Sequence, residues 1–207
     1  MRNPVTAPAW AFLCGVLLAG CAVGGSEPEA DPEAESACAL LSTDDVVALA
    51  GEDLGEPEPG EATGLPACRW GSPAGIGVQV IDVPVADWVA NLEPALDQIE
   101  AGGLADDPET AAKLQEARAL LASDDVDDVE GCELFALFLE IQGLAPDQSR
   151  TVNVIPDQQA PEAVSGQSCA DGRFTSVLIQ GSQVTGSAAE VDRVEAALDA
   201  VIARSPG

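Results

Sequence analysis

Histidine is missing from all 207 residues. Its absence removes the Ser-His-Asp triad, the Cys-His dyad and every His-ligated zinc site. Tyrosine is missing as well, and three Trp and four Phe are the only aromatic side chains. A core must therefore rest on Val, Leu, Ile and Ala. Basic residues are scarce, 8 against 36 acidic ones, for a formal charge of −28. So acidic a chain lacks the basic surface that nucleic acid needs and would be repelled by anionic lipid head groups. The charge serves solubility, and a charged partner would be cationic. No Cys-x-x-Cys pair occurs, which argues against a redox motif or a zinc ribbon. A single unbroken apolar run, Ala9 to Leu18, is too short for a membrane-spanning helix, which needs about 20 residues.

That run follows Arg2, and together they read as the charged and apolar regions of a secretory signal over residues 1–20. It ends in Leu18-Ala19-Gly20-Cys21, which resembles the lipobox of bacterial lipoproteins. The resemblance implies cleavage between Gly20 and Cys21 and a diacylglycerol anchor on the Cys21 sulfur. It also implies a chain held on the outer face of the cell membrane. Each buried methylene contributes about 0.8 kcal/mol, so two or more acyl chains hold a protein stably on a bilayer. Residues 22–36 read AVGGSEPEADPEAES, too poor in apolar side chains to offset ordering entropy. The expectation is a disordered acidic tether over 21–37, then one domain over 38–207.

Six cysteines are present. Cys14 leaves with the signal and Cys21 carries lipid, so Cys38, Cys68, Cys132 and Cys169 remain. Four cysteines in an exported chain read as two disulfides, with three pairings open. Their surroundings choose among these. Cys38 opens CALLSTDDVVALAG and Cys132 opens CELFALFLEIQG, both helix-like. Cys68 begins CRWGSPAGIGVQV and Cys169 begins CADGRFTSVLIQG, each an Arg-aromatic pair with a β-rich run. This is a weak pseudo-repeat, about 38–122 and 130–205, and it predicts Cys38–Cys68 and Cys132–Cys169.

Ser42 and Thr43 predict a helix to Ala50, stopped by Gly51. GEPEPGEATG reads as a loop. Arg69-Trp70 and Ile76 to Val83 read as strands about a Ser72–Gly75 turn, with Ile76, Val78 and Val80 on one face. A helix follows Val85, disturbed at Pro94, and a clearer one starts at Asp107-Pro108. DDVDDVEG reads as an acidic linker and helix start, without the spacing of a calcium loop. Leu134, Leu137, Phe138 and Ile141 predict a buried helix. RTVNVI and RFTSVLIQ read as strands, and Ser187 with Glu190 caps a final helix. This order predicts an α+β domain, a mainly antiparallel sheet packed with helices in two disulfide-stapled halves.

The lipobox, the acidic tether, CALLSTDDVVALAG and then CRW with a hairpin resemble a family of actinobacterial lipoproteins. The second half is similar through its Cys-helix and CADGRFTSVLIQ. A looser likeness is to the extracellular sensor domains of mycobacterial receptor kinases, which have two disulfides and a cleft. The family resemblance brings no catalytic residue and no cofactor, and the long segment from Ala86 to Glu130 and the absence of Tyr depart from the family.

The function expected is a lipid-anchored extracytoplasmic binding or sensing module of the bacterial cell envelope, without catalysis, cofactor or metal. Its ligand would be a small molecule, a lipid or a protein. The alternatives are an envelope hydrolase working through paired carboxylates or an assembly factor for another envelope protein. Arg69 and Arg173, each just before an aromatic in its half, are candidate anion contacts. Trp70 and Trp88 are expected in the core.

Overall fold

Six strands pair antiparallel into one sheet: β1 (Glu58–Ala62), β2 (Leu65–Gly71), β3 (Gly77–Pro84), β4 (Arg150–Ile155), β5 (Ala163–Ala170) and β6 (Arg173–Gln180), in the order β1-β2-β3-β6-β5-β4. The computed structural model describes residues 31–122 and 126–206. Its helices are α1 (Pro32–Cys38), α2 (Thr43–Ala50), α3 (Val85–Ala90), α4 (Glu93–Ala101), α5 (Pro108–Leu121), α6 (Asp128–Ile141) and α7 (Ala188–Arg204). The domain is therefore α+β. Each half contributes a three-stranded meander, and β3 and β6 join the halves at the centre.

Local chemistry fixes many of these boundaries. Reciprocal capping boxes start α2 at Ser42 with Asp45, α6 at Asp127 with Glu130, and α7 at Ser187 with Glu190. Gly51, at φ 83°, stops α2. Thr63-Gly64 and Asp171-Gly172 join their strands as two-residue turns with φ positive at both positions, the twist that a tight hairpin needs.

Cross-strand pairing sorts the side chains into two faces. On one face Cys68, Trp70, Val78, Val80, Val164, Val177 and Ile179 pack under α1, α2 and α7. On the other, Ala67, Ile81, Val83, Cys169 and Phe174 pack under α3 to α6. There Trp88 stacks on Phe174 at 5.1 Å between centroids, and Phe135 meets both rings edge-on. On this face α3 and α6 lie on the sheet, and α5 packs against α6.

Both disulfides join the expected partners. Cys38–Cys68 ties the end of α1 to β2, and Cys132–Cys169 ties α6 to β5. They staple opposite faces, since Cys68 belongs to one core and Cys169 to the other. Two disulfides fit an oxidising compartment outside the cytoplasm. Among the described residues no helix is long and apolar enough to cross a membrane.

Several expectations need correction. The tether does not extend to residue 37: α1 begins at Pro32, because Asp31 caps it and Ala34 and Ala37 are fully buried. Cys38 accordingly ends a helix rather than opening one. GEPEPGEATG contains β1, an edge strand that tolerates Pro59 because it is paired on one side only. Pro94 lies in the first turn of α4 rather than disturbing a helix. The strand β5 was not expected at all. Its sequence AVSGQSCA is weak in β-formers, yet it pairs on both sides. Gly166 lets α7 pack close there, since a Cβ would crowd the Val194 side chain at 3.0 Å.

Arg204 fastens α7 to α2, donating to the Leu40 carbonyl at 2.7 Å and to Asp45 at 2.6 Å. This hydrogen bond leads the forces that hold the Asp45 carboxyl down to about 2 from its usual 3.8. A depressed carboxylate contributes stability above its ordinary pKa and loses it as pH falls through the folded value. Asp45→Asn is therefore expected to lower stability slightly at neutral pH and by much less at pH 2, as read by urea unfolding at both. The effect stays small because Asp45 and Arg204 are 26% and 43% exposed at the side chain.

Candidate binding surface

The second face of the sheet is covered only in part. Beyond Ile81 and Phe174 the strands present a row running Arg69, Gln79, Leu178, Ser165 and Asn153 across β2, β3, β6, β5 and β4. Ser176, Gln167 and Thr151 flank it on one side, Gln180, Ala163 and Ile155 on the other. Leu178 and Ile155 are half-buried and belong to neither hydrophobic core. Among the described residues, no side chain of these three rows belongs to the core that α3 to α6 cover. Small side chains make its floor: Ser165 is 6% exposed and Ser176 8%.

The surface is rich in neutral hydrogen-bonding groups. Among the described residues, the side chains of Gln79, Gln167, Gln180, Ser165 and Ser176 bond to no protein group, and none is sealed away from solvent. Thr151 Oγ1 donates to the Asn153 side-chain Oδ1 at 3.1 Å, and among the described residues the Asn153 side-chain NH2 has no partner. Amides and hydroxyls offer donors and acceptors alike. A solvated face is ordinary for an antiparallel sheet. Here it is the part of the sheet that, among the described residues, joins neither hydrophobic core.

Arg69 stands at its rim, exposed, and its guanidinium donates to the Glu61 carbonyl. It has no carboxylate partner among the described residues, although Glu58 lies directly across the ladder. The other described cations are all paired: Lys113 with Glu109 and Glu140, Arg118 with Asp97 and Glu100, Arg150 with Glu195 and Asp199, Arg173 with Asp82, Arg193 with Glu190, Arg204 with Asp45. A guanidinium without a carboxylate partner keeps donors that match an anion's geometry.

The two candidate anion contacts do not converge. Arg69 and Arg173 lie on opposite faces of the sheet, and they are not equivalents between the halves. Arg69 follows Cys68 within β2, whereas the Asp171-Gly172 turn carries Arg173 onto β6. Arg173 is committed to Asp82, whose side chain is 1% exposed. Thr175 and Ser205 complete that cluster, beside a cavity of about 50 Å³ under the end of α7. A shallow acidic cleft lies against the Cys132–Cys169 bond, lined by Asp128, Glu133, Asp147 and Asp171. No group of three or more metal-ligating side chains converges among the described residues. Trp70 and Trp88 are buried in the two cores, as expected. Gly20 and Cys21 lie outside the described residues.

Sequence reasoning reached Arg69 but missed the surface around it. A signal was available in Gln79, which alternates with Val78 and Val80 and so marks a polar place on the opposite face. Comparison with family models, with curated proteins and with solved structures gives no match to this chain.

Proposed function

We propose that the protein is a lipid-anchored extracytoplasmic binding or sensing module of the bacterial cell envelope. Its ligand surface is the uncovered half of the sheet. The observation that carries this reading is the conjunction of unpartnered amide and hydroxyl side chains with Arg69, the one described cation lacking a carboxylate. Such a surface suits a flat, polar molecule with an anionic group. In an envelope, carboxylate-bearing peptidoglycan fragments have that chemistry: hydroxyls and amides for Gln79, Ser165 and Gln167, and a carboxylate for Arg69. Leu178 and Ile155 supply apolar contact between the polar rows.

Titrating muropeptides into the mature protein in detergent, followed by calorimetry, tests the ligand. Arg69→Gln is expected to weaken binding about tenfold or more, the worth of a charge-assisted hydrogen bond. Equal affinity of the variant, or no binding by any carboxylate-bearing fragment, would remove the reading. The anchor is tested separately. Native protein is expected in the membrane fraction, and Cys21→Ser in the soluble fraction or unprocessed. An N-terminal peptide without acyl chains, seen by mass spectrometry, would contradict the anchor.

A further inference from the structure

The two edges of the sheet are protected unequally. β1 carries Pro59 with Glu58 and Glu61, and α1 packs beside it. These are devices that keep an edge from pairing with another chain. β4, at the opposite edge, reads RTVNVI, without proline, lysine or carboxylate. The Cys169 N–H donates to the Ser149 carbonyl at 2.9 Å, which fixes the phase of the ladder. Ser149, Thr151 and Asn153 therefore turn their backbone groups to β5, and Val152 and Val154 turn theirs outward. Among the described residues no turn, loop or side chain takes up those outward groups.

The flank of this edge is acidic. Arg150 draws Glu195 and Asp199 of α7 over the start of β4, at 3.7 and 2.5 Å. Two carboxylates share that one guanidinium, so the ridge keeps negative charge, and exposed Asp192 extends it by a turn. A second copy is a poor occupant, since each chain carries a charge of −28 and edge-to-edge pairing brings two acidic ridges together.

We propose that β4 is a docking edge for an extended cationic segment of a partner protein, added as a further strand. Backbone bonds to Val152 and Val154 hold it, and Lys or Arg at alternate positions face the α7 ridge. The inference stands apart from the ligand surface, because it uses an edge and not a face.

The test is amide hydrogen exchange on the mature protein in detergent, with a synthetic octapeptide of alternating lysine and threonine. Exchange at Val152 and Val154 is expected to slow at least tenfold, with no change along β1. The same peptide with glutamate for lysine should have no effect. Val152→Pro removes an outward N–H without touching the β5 ladder and should abolish the protection. Asp192→Lys should weaken it, and this variant serves if the proline variant does not fold. Three results overturn the proposal: no protection on β4, equal protection on β1, or protection that grows with protein concentration and without peptide, which identifies a second copy as the occupant.

Discussion

Replacing Cys132 and Cys169 together by alanine is expected to destabilise the protein by about 4 kcal/mol, from the entropy an open chain regains. The sequence separation of 37 sets that value, and the bond ties α6 to β5 across one core. Thermal unfolding should shift down by about 10 °C for a domain of this size. Cys38–Cys68 should persist, because it lies wholly within the other half and on the other face. An unchanged melting temperature, or loss of the Cys38–Cys68 peptide in a non-reducing map, would contradict the account of two independent staples.

Asp82→Ala is expected to cost about 3–5 kcal/mol, the loss that follows when one partner of a buried ion pair is removed. The Asp82 carboxylate accepts from Arg173 Nε at 3.1 Å and Nη2 at 2.8 Å, and from the Thr175 and Ser205 hydroxyls, each at 2.8 Å. Alanine leaves a guanidinium and two hydroxyls facing a hole. The cluster joins β3, β6 and the residue after α7, so its loss should loosen the C-terminal end of that helix first. The double variant Asp82→Leu, Arg173→Met should recover much of the stability, since well-packed apolar residues can replace a buried pair at little cost. Urea unfolding of the three proteins decides it. A single variant within 0.5 kcal/mol of wild type would show that the cluster holds nothing, since only surface changes are usually that mild.

What the sequence made legible was local. The caps at Ser42 and Ser187 act within one helical turn, and both could be read directly. The cysteine pairing holds although its premise does not: Cys38 ends α1, Cys132 lies within α6, and Arg69 and Arg173 are not equivalents. The strand β5 was not legible, because its residues are held by neighbours on both sides and not by their own propensity. Yet Asp171-Gly172 is a strong short-range hairpin signal, and it separates Cys169 from Arg173. Passing over it placed Arg173 beside Arg69 as an equivalent, when the turn sends it to another strand and the other face. The candidate surface was hidden for a different reason. Whether Gln79, Ser165 and Leu178 are covered depends on where α3 to α6 come to rest, and no local pattern encodes that.

The most direct test of the central claim is amide chemical-shift mapping of the mature protein during titration with muropeptides. The account predicts shifts that cluster at Arg69, Gln79, Leu178, Ser165 and Asn153, one continuous row across five strands, and that vanish in Arg69→Gln. Shifts confined to the acidic cleft beside Cys132–Cys169, or to the covered face under α7, would contradict it.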